Sequence, residues 1–325
     1  MKQNVAVVFG GRSGEHEVSV RSAESILRAL RRDKYNVLEY FISKDGKWHP
    51  RVILPEPGAN PGIDVVFPVL HGTFGEDGTM QGLFELADLP YVGPGVLASS
   101  VCMDKDIAKR LCRERGLPVV EWITLYRGKL DASAVLARFQ FPVFVKPANL
   151  GSSVGITKAH DEGELKQALE LAARYDRKVI VERCVGGAEL ECSVLGNEEP
   201  LASTPCEILP SREFYDYEDK YVLDRAQFRL PAELPATDME RVRQLAVACY
   251  QATGCEGMAR VDFLRDAETG VIYINEINTI PGFTSISMYP KMWEYSGIPY
   301  PDLLDRLIEY ALERHRAKLA TRFTL

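Results

Sequence analysis

Arg260 and Asp262, followed by Glu276 and Asn278, are residues whose types and spacing suggest chemistry. Each pair is separated by one residue, and alternate side chains of a strand point to one face. The segments 259–264 and 271–277 read as two strands of a hairpin, with Asp266–Gly270 as the turn. If they pair so, one guanidinium and three oxygen donors meet on a small area. Oxygen donors of this kind suit Mg2+, and few protein ligands leave room for phosphate oxygens. Arg260 could stabilise charge developing beside the metal. A solvated ladder of surface charges is the plainer alternative. Against it, Ile274 is expected on the face of Glu276 and the neighbours are strongly apolar, so the carboxylates need a cationic partner.

Two further segments have phosphate or ligand chemistry within reach. Phe144–Gly155 is a strand leading into a loop of Gly and Ser, with Lys146 beside it. Glycines let backbone N–H groups approach phosphates, and serine hydroxyls add donors. A mobile surface turn explains the same residues. No GxxxxGK[ST] occurs, so it is not a Walker A loop. Gly10–Glu17 follows the first strand and precedes a helix, a usual ligand position in open α/β sheets. It is not GxGxxG, which disfavours a dinucleotide, and Glu15 and Glu17 there also suit a helix N-terminus. His71–Gly78 likewise follows a strand, where a lone His is more often scaffolding.

The elements that must position these residues alternate strand and helix in the first third. Asn4–Phe9 is a continuous apolar strand, and Val37–Ile42 and Asp64–Leu70 follow. Ala23, Ile26, Leu27 and Leu30 mark one helical face between them. This order favours a parallel sheet. A second unit is expected from Ser99, with Asp104 capping a helix that bears Ile107 and Leu111 and stops at Gly116. Strands Phe141–Lys146 and Lys178–Glu182 flank a helix started by Asp161 and Glu164. Gly186-Gly187 is a plausible hinge into a third unit with a strand at Leu190–Leu195. That unit also has a helix from Thr237 to Thr253, with Thr237 and Glu240 as its capping box, and a last helix from Pro301.

The chain has 325 residues, more than one core usually serves, so two or three units are expected. Net charge of -7 argues against a nucleic-acid footprint and gives no pull toward anionic membranes. The seven cysteines lack a CxxC and read as reduced packing residues of a cytosolic protein. No stretch is apolar for long enough to span a bilayer, and the N-terminus reads as a buried strand, not a signal peptide.

Together the strings FGGRSGEHEVS, HGTFGEDGTMQG, MDKDIAK, VKPANLGSSVG, FYDYEDKY, ARVDF and NEINTIPGFTS resemble the D-alanine–D-alanine ligases of the ATP-grasp superfamily, in that family's order and spacing. The resemblance implies an ATP-grasp fold, α/β with an α+β C-terminal part. Its expected units are an N-terminal parallel-sheet substrate domain (1–98), a central subdomain (99–186) and a C-terminal subdomain (187–325), with the nucleotide between the last two. It implies ATP and two Mg2+ or Mn2+ ions, held by Asp262, Glu276 and Asn278, with Glu276 bridging. Lys105 and Lys146 match phosphate-binding lysines. Glu182 and Glu189 match positions near adenine and ribose, Phe214 an aromatic near the nucleotide, and Ser152, Ser153 and Lys220 further nucleotide contacts. Glu15 matches the holder of the first substrate's ammonium, in a triad with Ser152 and Tyr221, with His71 nearby. Arg260 and the Gly282 backbone match oxyanion stabilisers, and Ser287 and Met288 the second substrate's carboxylate region. The loop 211–227, with Phe214, Tyr215, Tyr217 and Tyr221, matches a lid over the site.

The implied reaction joins two D-alanines through D-alanyl phosphate, supplying a dipeptide for the peptidoglycan that shapes the cell wall. A cytoplasmic enzyme with small-molecule substrates is expected, neither nucleic acid nor membrane as partner, and a homodimer as the family's common state. A sister ligase making D-alanyl-D-lactate or D-alanyl-D-serine is the alternative, and an inactive nucleotide-binding relative is another. Tyr221 in its YEDKY context and apolar Met288 favour D-alanine as second substrate.

Overall fold

The computed structural model describes residues 2–152, 154–209 and 227–322. The expected site residues Ser153, Phe214, Lys220 and Tyr221, and the lid stretch apart from Gln227, lie outside the described residues.

Three sheets carry the structure. In the first, β1 (Gln3–Gly10) lies between β2 (Tyr35–Ile42) and β4 (Val65–Val69), parallel to both, and the short β3 (Trp48–His49) pairs antiparallel with β2. The run Val5–Val8 is continuously apolar because β1 is buried on both faces. Val5 and Val7 join one core with Ala23 and Ile26 of helix α1 (His16–Ala29). Ala6 and Val8 join another with Phe84 of α2 (Thr79–Leu86).

Helices α3 (Val96–Met103) and α4 (Lys105–Glu114) lead into a second, all-antiparallel sheet. Its order is β5 (Trp122–Tyr126), β8 (Lys178–Arg183), β6 (Val143–Pro147), β7 (Thr157–Ala159). Short α5 (Ala132–Leu136) and α6 (Glu162–Tyr175) cover it; Leu165, Ala168, Leu169 and Ala172 of α6 are buried as their spacing predicts. The Asp161 carboxylate accepts from the Glu164 N–H at 2.8 Å, and Glu164 accepts from the His160 N–H at 2.8 Å.

The third sheet runs β12 (Gln227–Arg229), β11 (Cys206–Leu209), β9 (Gly187–Gly196), β13 (Gly257–Asp266), β14 (Ile272–Asn278), with β10 (Leu201–Ala202) added to β9. Helix α7 (Ala236–Ala252) covers its apolar face. The last helices are α8 (Met288–Tyr295) and α9 (Tyr300–Leu319).

Several local expectations are corrected. Asp104 does cap α4, accepting from the Asp106 and Ile107 amides, yet Ile107 and Leu111 are exposed and the buried side carries Lys105, Ala108, Lys109 and Cys112. Paired buried lysines defeat a rule that assigns the inner face to apolar residues. Helix α7 begins at Ala236, with Pro235 at its N-cap and no side-chain cap. Proline's fixed φ starts it one position before Thr237, and Glu240 bonds Arg243 and Gln244 instead. None of the seven cysteines is in a disulfide. No helix among the described residues is long and apolar enough to cross a membrane.

Helix α9 packs between the first sheet and the third. Leu303, Leu304, Leu307 and Ile308 share a core with Val5, Val7, Val65 and Phe67, and also with Leu195 and Met258 of the third sheet. Arg31 pairs with Asp302 and Asp305, and Lys34 with Asp305 at 2.5 Å, fixing the rim of this contact. The chain's end thereby holds the first sheet against the third, where the site lies. Leu304→Ala should cost about 2–5 kcal/mol, the usual range for a buried leucine truncation. Urea unfolding followed by circular dichroism measures it, and a change below about 1 kcal/mol would contradict this packing role.

Candidate active site

The hairpin pairs Arg260 with Asn278 and Asp262 with Glu276. Directly opposed residues share a face, so all four side chains project to one side. Val261, Phe263 and Ile277 project to the other side and enter the core beneath α7. A bulge between Asp262 and Phe263 leaves Asn275 as the extra residue of β14. It overturns the expectation for Ile274, which pairs with Phe263 on the core face, opposite Glu276. The extra residue itself is used: the Lys146 ammonium donates to its side-chain oxygen at 3.3 Å.

Arg260 grips Asp262 with Nε and Nη2, both at 2.7 Å, and its Nε lies 3.2 Å from Glu191. Burial opposes its charge, but the Asp262 and Glu191 carboxylates outweigh burial and keep it ionised. The Lys105 ammonium stands 3.1 Å from Glu276 and donates to the Leu150 carbonyl at 2.8 Å. Asn278 presents a buried amide oxygen with no hydrogen-bond partner among the described residues. An orphaned hard acceptor next to two carboxylates fits a divalent cation of the Mg2+ type. Among the described residues no three carboxylate, imidazole or thiol groups gather closely enough to enclose an ion. Such an ion would therefore draw further ligands from phosphate oxygens.

An adjoining cluster is buried more deeply. Glu182 lies between the Lys109 and Lys146 ammonium groups, at 2.7 and 2.6 Å. The side chains of Glu182 and Lys109 are only 2 and 3% exposed, so neither charge has water to rely on. Burial by itself would raise Glu182, but the two lysines hold it down at about 2. Lys146 is raised by the same carboxylate against its own burial.

The other part of the site comes from the first sheet. Glu15 precedes α1 and accepts from the Ser152 hydroxyl. Ser152 adopts φ +52°, a conformation disfavoured for a residue with a side chain, which the loop after β6 imposes. Gly72, at φ +72°, lies so near that a Cβ there would stand 2.5 Å from Glu15 Oε2 and would push that carboxylate aside. His71 donates from Nδ1 to the Ile280 carbonyl at 2.9 Å, and Nε2 meets the Ser22 hydroxyl at 3.2 Å. Carbonyl oxygen only accepts, which fixes this tautomer. Burial lowers the His71 pKa despite the Glu15 charge. With both nitrogens engaged, His71 is a neutral brace between β4 and the loop after β14.

Glu76 lies beside Glu15 and was not legible as a site residue. It accepts from the Gly72 N–H at 3.0 Å and the Ile280 N–H at 3.4 Å. Burial first, and then the Glu15 carboxylate, push it up to about 8 against those amides and Lys105. Glu191 and Lys109 were likewise missed. Glu191 repeats two residues after Glu189 in a strand, and Lys109 stands one helical turn after Lys105; those spacings were the available signals.

One cavity is lined by Glu15, His71, Glu76, Lys105, Ser152, Glu191, Arg260, Glu276, Asn278, Gly282, Ser287 and Met288, among others. It brings together most of the expected positions. Asp262 reaches it through Arg260, while Lys146 and Glu182 are not among the lining residues. Glu189 sits farther along β9, opposite Leu264, and is not among the lining residues. A Cβ at Gly282 would stand 2.7 Å from the Ser287 hydroxyl oxygen, which itself accepts from the Thr284 N–H at 3.0 Å. That bare backbone lets the loop close on α8's first residues.

Comparisons with known proteins agree on one family. Models for the N-terminus and C-terminus of D-ala D-ala ligases match residues 4–61, 55–94 and 111–309. A D-alanine--D-alanine ligase of Solibacter usitatus is 67% identical over 323 residues, covering 99% of both chains. The solved D-alanine-D-alanine ligase of Coxiella burnetii superposes with TM-score 0.87 at 39% identity, over 98% of this chain and 96% of that one. The VanG D-Ala:D-Ser ligase of Enterococcus faecalis gives 0.88 at 37%, over 96% and 100%.

The Lys109–Glu182–Lys146 cluster makes stability depend on acid. Glu182 titrates at about 2 in the folded chain and near its ordinary 4.5 when unfolded, so its contribution is complete above about 4.5. It is lost as pH falls from there toward 2. Denaturant midpoints of wild type and Glu182→Gln, followed from pH 6 to 3, should converge as acid is added. A constant gap between them would contradict an ionised Glu182.

Proposed function

The chain belongs to the D-alanine–D-alanine ligase family, and we propose that its cavity joins two D-alanines by the residues named below. It is an ATP-dependent ligase: ATP and two D-alanines give D-alanyl-D-alanine, ADP and phosphate, the dipeptide serving peptidoglycan synthesis. The observation carrying the residue assignment is the shared face of Arg260, Asp262, Glu276 and Asn278, opening into the cavity that also holds Glu15 and Ser152.

In this reading, Glu15 holds the ammonium of the first D-alanine, oriented by Ser152 and, from the lid, Tyr221. The substrate's carboxylate oxygen attacks the γ-phosphorus of ATP, and ADP leaves. Lys105 and Lys146 offset phosphate charge, assisted by Ser152, Ser153 and Lys220. Divalent ions, two Mg2+ or Mn2+, would neutralise phosphate charge as Lewis acids, held by Asp262, Glu276 and Asn278 with Glu276 shared. Glu182 and Glu189 stand toward adenine and ribose, and Phe214 contacts the nucleotide.

Phosphorylation turns a poor leaving oxygen into a good one. The amine of the second D-alanine, its carboxylate at Ser287 and Met288, then attacks the acyl carbonyl. Arg260 and the Gly282 N–H stabilise the resulting oxyanion, phosphate departs, and the amine loses a proton. His71 braces the wall beside the first substrate. Acyl phosphates hydrolyse readily, so closure of 211–227 over the site would protect the intermediate. Three units divided near 98 and 186, a cytoplasmic location and a homodimer complete the proposal.

The VanG likeness gives one specific alternative, D-serine as second substrate. Phosphate release with ATP, Mg2+ and D-alanine, compared with D-serine and D-lactate as second substrates across pH, separates the products. D-alanine alone should support full turnover; preference for D-serine would overturn the assignment of product. Glu276→Gln should abolish turnover with an unchanged circular dichroism spectrum. Near-wild-type activity would remove Glu276 from the metal site.

A further inference from the structure

Glu191 lies in the reaction cavity and has no role in the chemistry above. It stands on β9 directly opposite Asp262, which on its other side faces Glu276. Three carboxylates therefore form one row across β9, β13 and β14. Arg260 occupies the neighbouring row, between the uncharged Ser193 and Asn278. Glu191 lies diagonal to it and Asp262 two residues along its own strand, and both carboxylates pair with it. The Glu191 side chain is 4% exposed, so its charge is not held there for solvation.

We propose that Glu191 is a positioning residue, the carboxylate that keeps the Arg260 guanidinium aimed at the reacting carbonyl while Asp262 is shared with a divalent ion. This rests on the ligase reading above. Both Asp262 oxygens are spent on Arg260 in the structure, at 2.7 Å each. A carboxylate shared with a dication attracts a guanidinium less strongly, and the dication itself repels it. A second anion is then needed to hold the guanidinium in place. Glu191 already touches Nε at 3.2 Å from the strand on the far side of Glu276. Among the described residues the three carboxylates do not close into a cage for an ion. Its charge also matters to the total. Three carboxylates against one guanidinium leave two formal negative charges on this face, and Glu191→Gln would remove one of them.

The test compares wild type, Glu191→Gln and Glu191→Asp, with Asp262→Asn as the control for metal binding. Glu191→Gln should lower kcat by about 10- to 100-fold, the scale of a misplaced catalytic group, with KM for ATP and for the first D-alanine within about 2-fold. Affinity for a phosphinate dipeptide, whose tetrahedral phosphorus carries the oxyanion, should fall by the same factor as kcat, while affinity for D-alanyl-D-alanine holds. Mn2+ binding in the presence of ADP, read by electron paramagnetic resonance, should match wild type and be weakened only in Asp262→Asn. Glu191→Asp, which keeps the charge, should recover part of kcat and of phosphinate affinity. It carries the same comparison if Glu191→Gln fails to fold. Unchanged kcat in an active, folded Glu191→Gln overturns the assignment, as does lost kcat with undiminished phosphinate affinity. Lost Mn2+ affinity in Glu191→Gln overturns it in favour of a metal-ligand role. A wild-type chain that releases no D-alanine-dependent phosphate overturns the ligase reading itself, a result distinguishable from all of these.

Discussion

The register of three antiparallel strands is the constraint from which the site follows. Along the centre of β9 and β13 alternate residues are apolar and enter the core under α7, as do Ile272, Ile274 and Ile277 of β14 across its bulge; the opposite face carries Glu191, Arg260, Asp262, Glu276 and Asn278. A slip of one residue in either pairing would drive these charges into the core and the core residues into the cavity. Packing energy and site geometry are thus fixed by the same hydrogen-bond ladder. The apolar face makes the register expensive to change, and the polar face inherits that rigidity. Precision of this kind is needed where a guanidinium must meet charge that exists only briefly.

Keeping so many charges out of water is costly unless each has a partner. The structure answers with alternation: Lys109, Glu182 and Lys146, then Lys105 with Glu276, then Arg260 between Asp262 and Glu191. Helix α4 supplies two of these lysines from one buried side, and its cap Asp104 pairs with Lys178 of the second sheet at 2.6 Å. Lys146 comes from the second sheet and Asn275 from the third, so their contact ties the sheets across the cluster. Nucleotide phosphates entering this region would meet cations already in place, with little reorganisation left to perform.

Where sequence periodicity and burial coincide, the elements were legible. The apolar run of β1, the buried stripe of α6 and the two-residue alternation of β13 could each be read from their residues, and so could the shared face of Arg260 and Asp262 with Glu276 and Asn278. Failures occur where a residue departs from period. The bulge at Asn275 reverses Ile274, since alternation has no means of announcing an inserted residue. Lys109 was hidden because an inward lysine on a helix is identified only by the buried glutamate it meets, 73 positions away. Glu76 and Glu191 needed knowledge of neighbours supplied by other strands and loops. Family motifs had pointed to Glu15 and Ser152 without explaining why they meet. That depends on Gly72 and on the left-handed turn at Ser152, which let two loops from different sheets touch.

Charge in the cavity also has a direction. Glu15 and Glu76 stand together on the first-sheet side, and a side chain beginning at Gly151 would come within 4 Å of both carboxyl groups. Arg260 and Lys105 are instead committed to carboxylates of the hairpin and β9. D-Alanine is a zwitterion, so under the proposed reading a molecule with its ammonium at Glu15 presents its carboxylate toward the cationic, phosphate-bearing side. Reversal would set ammonium against fixed cations and carboxylate against Glu15, two like-charge contacts in a poorly solvated space. The raised carboxyl of Glu76 fits the same logic: with no substrate cation near Glu15, a second full negative charge there is disfavoured, and an incoming ammonium lowers that cost. On that reading, the cavity's uneven charge sets the orientation of the first substrate before any phosphoryl group moves.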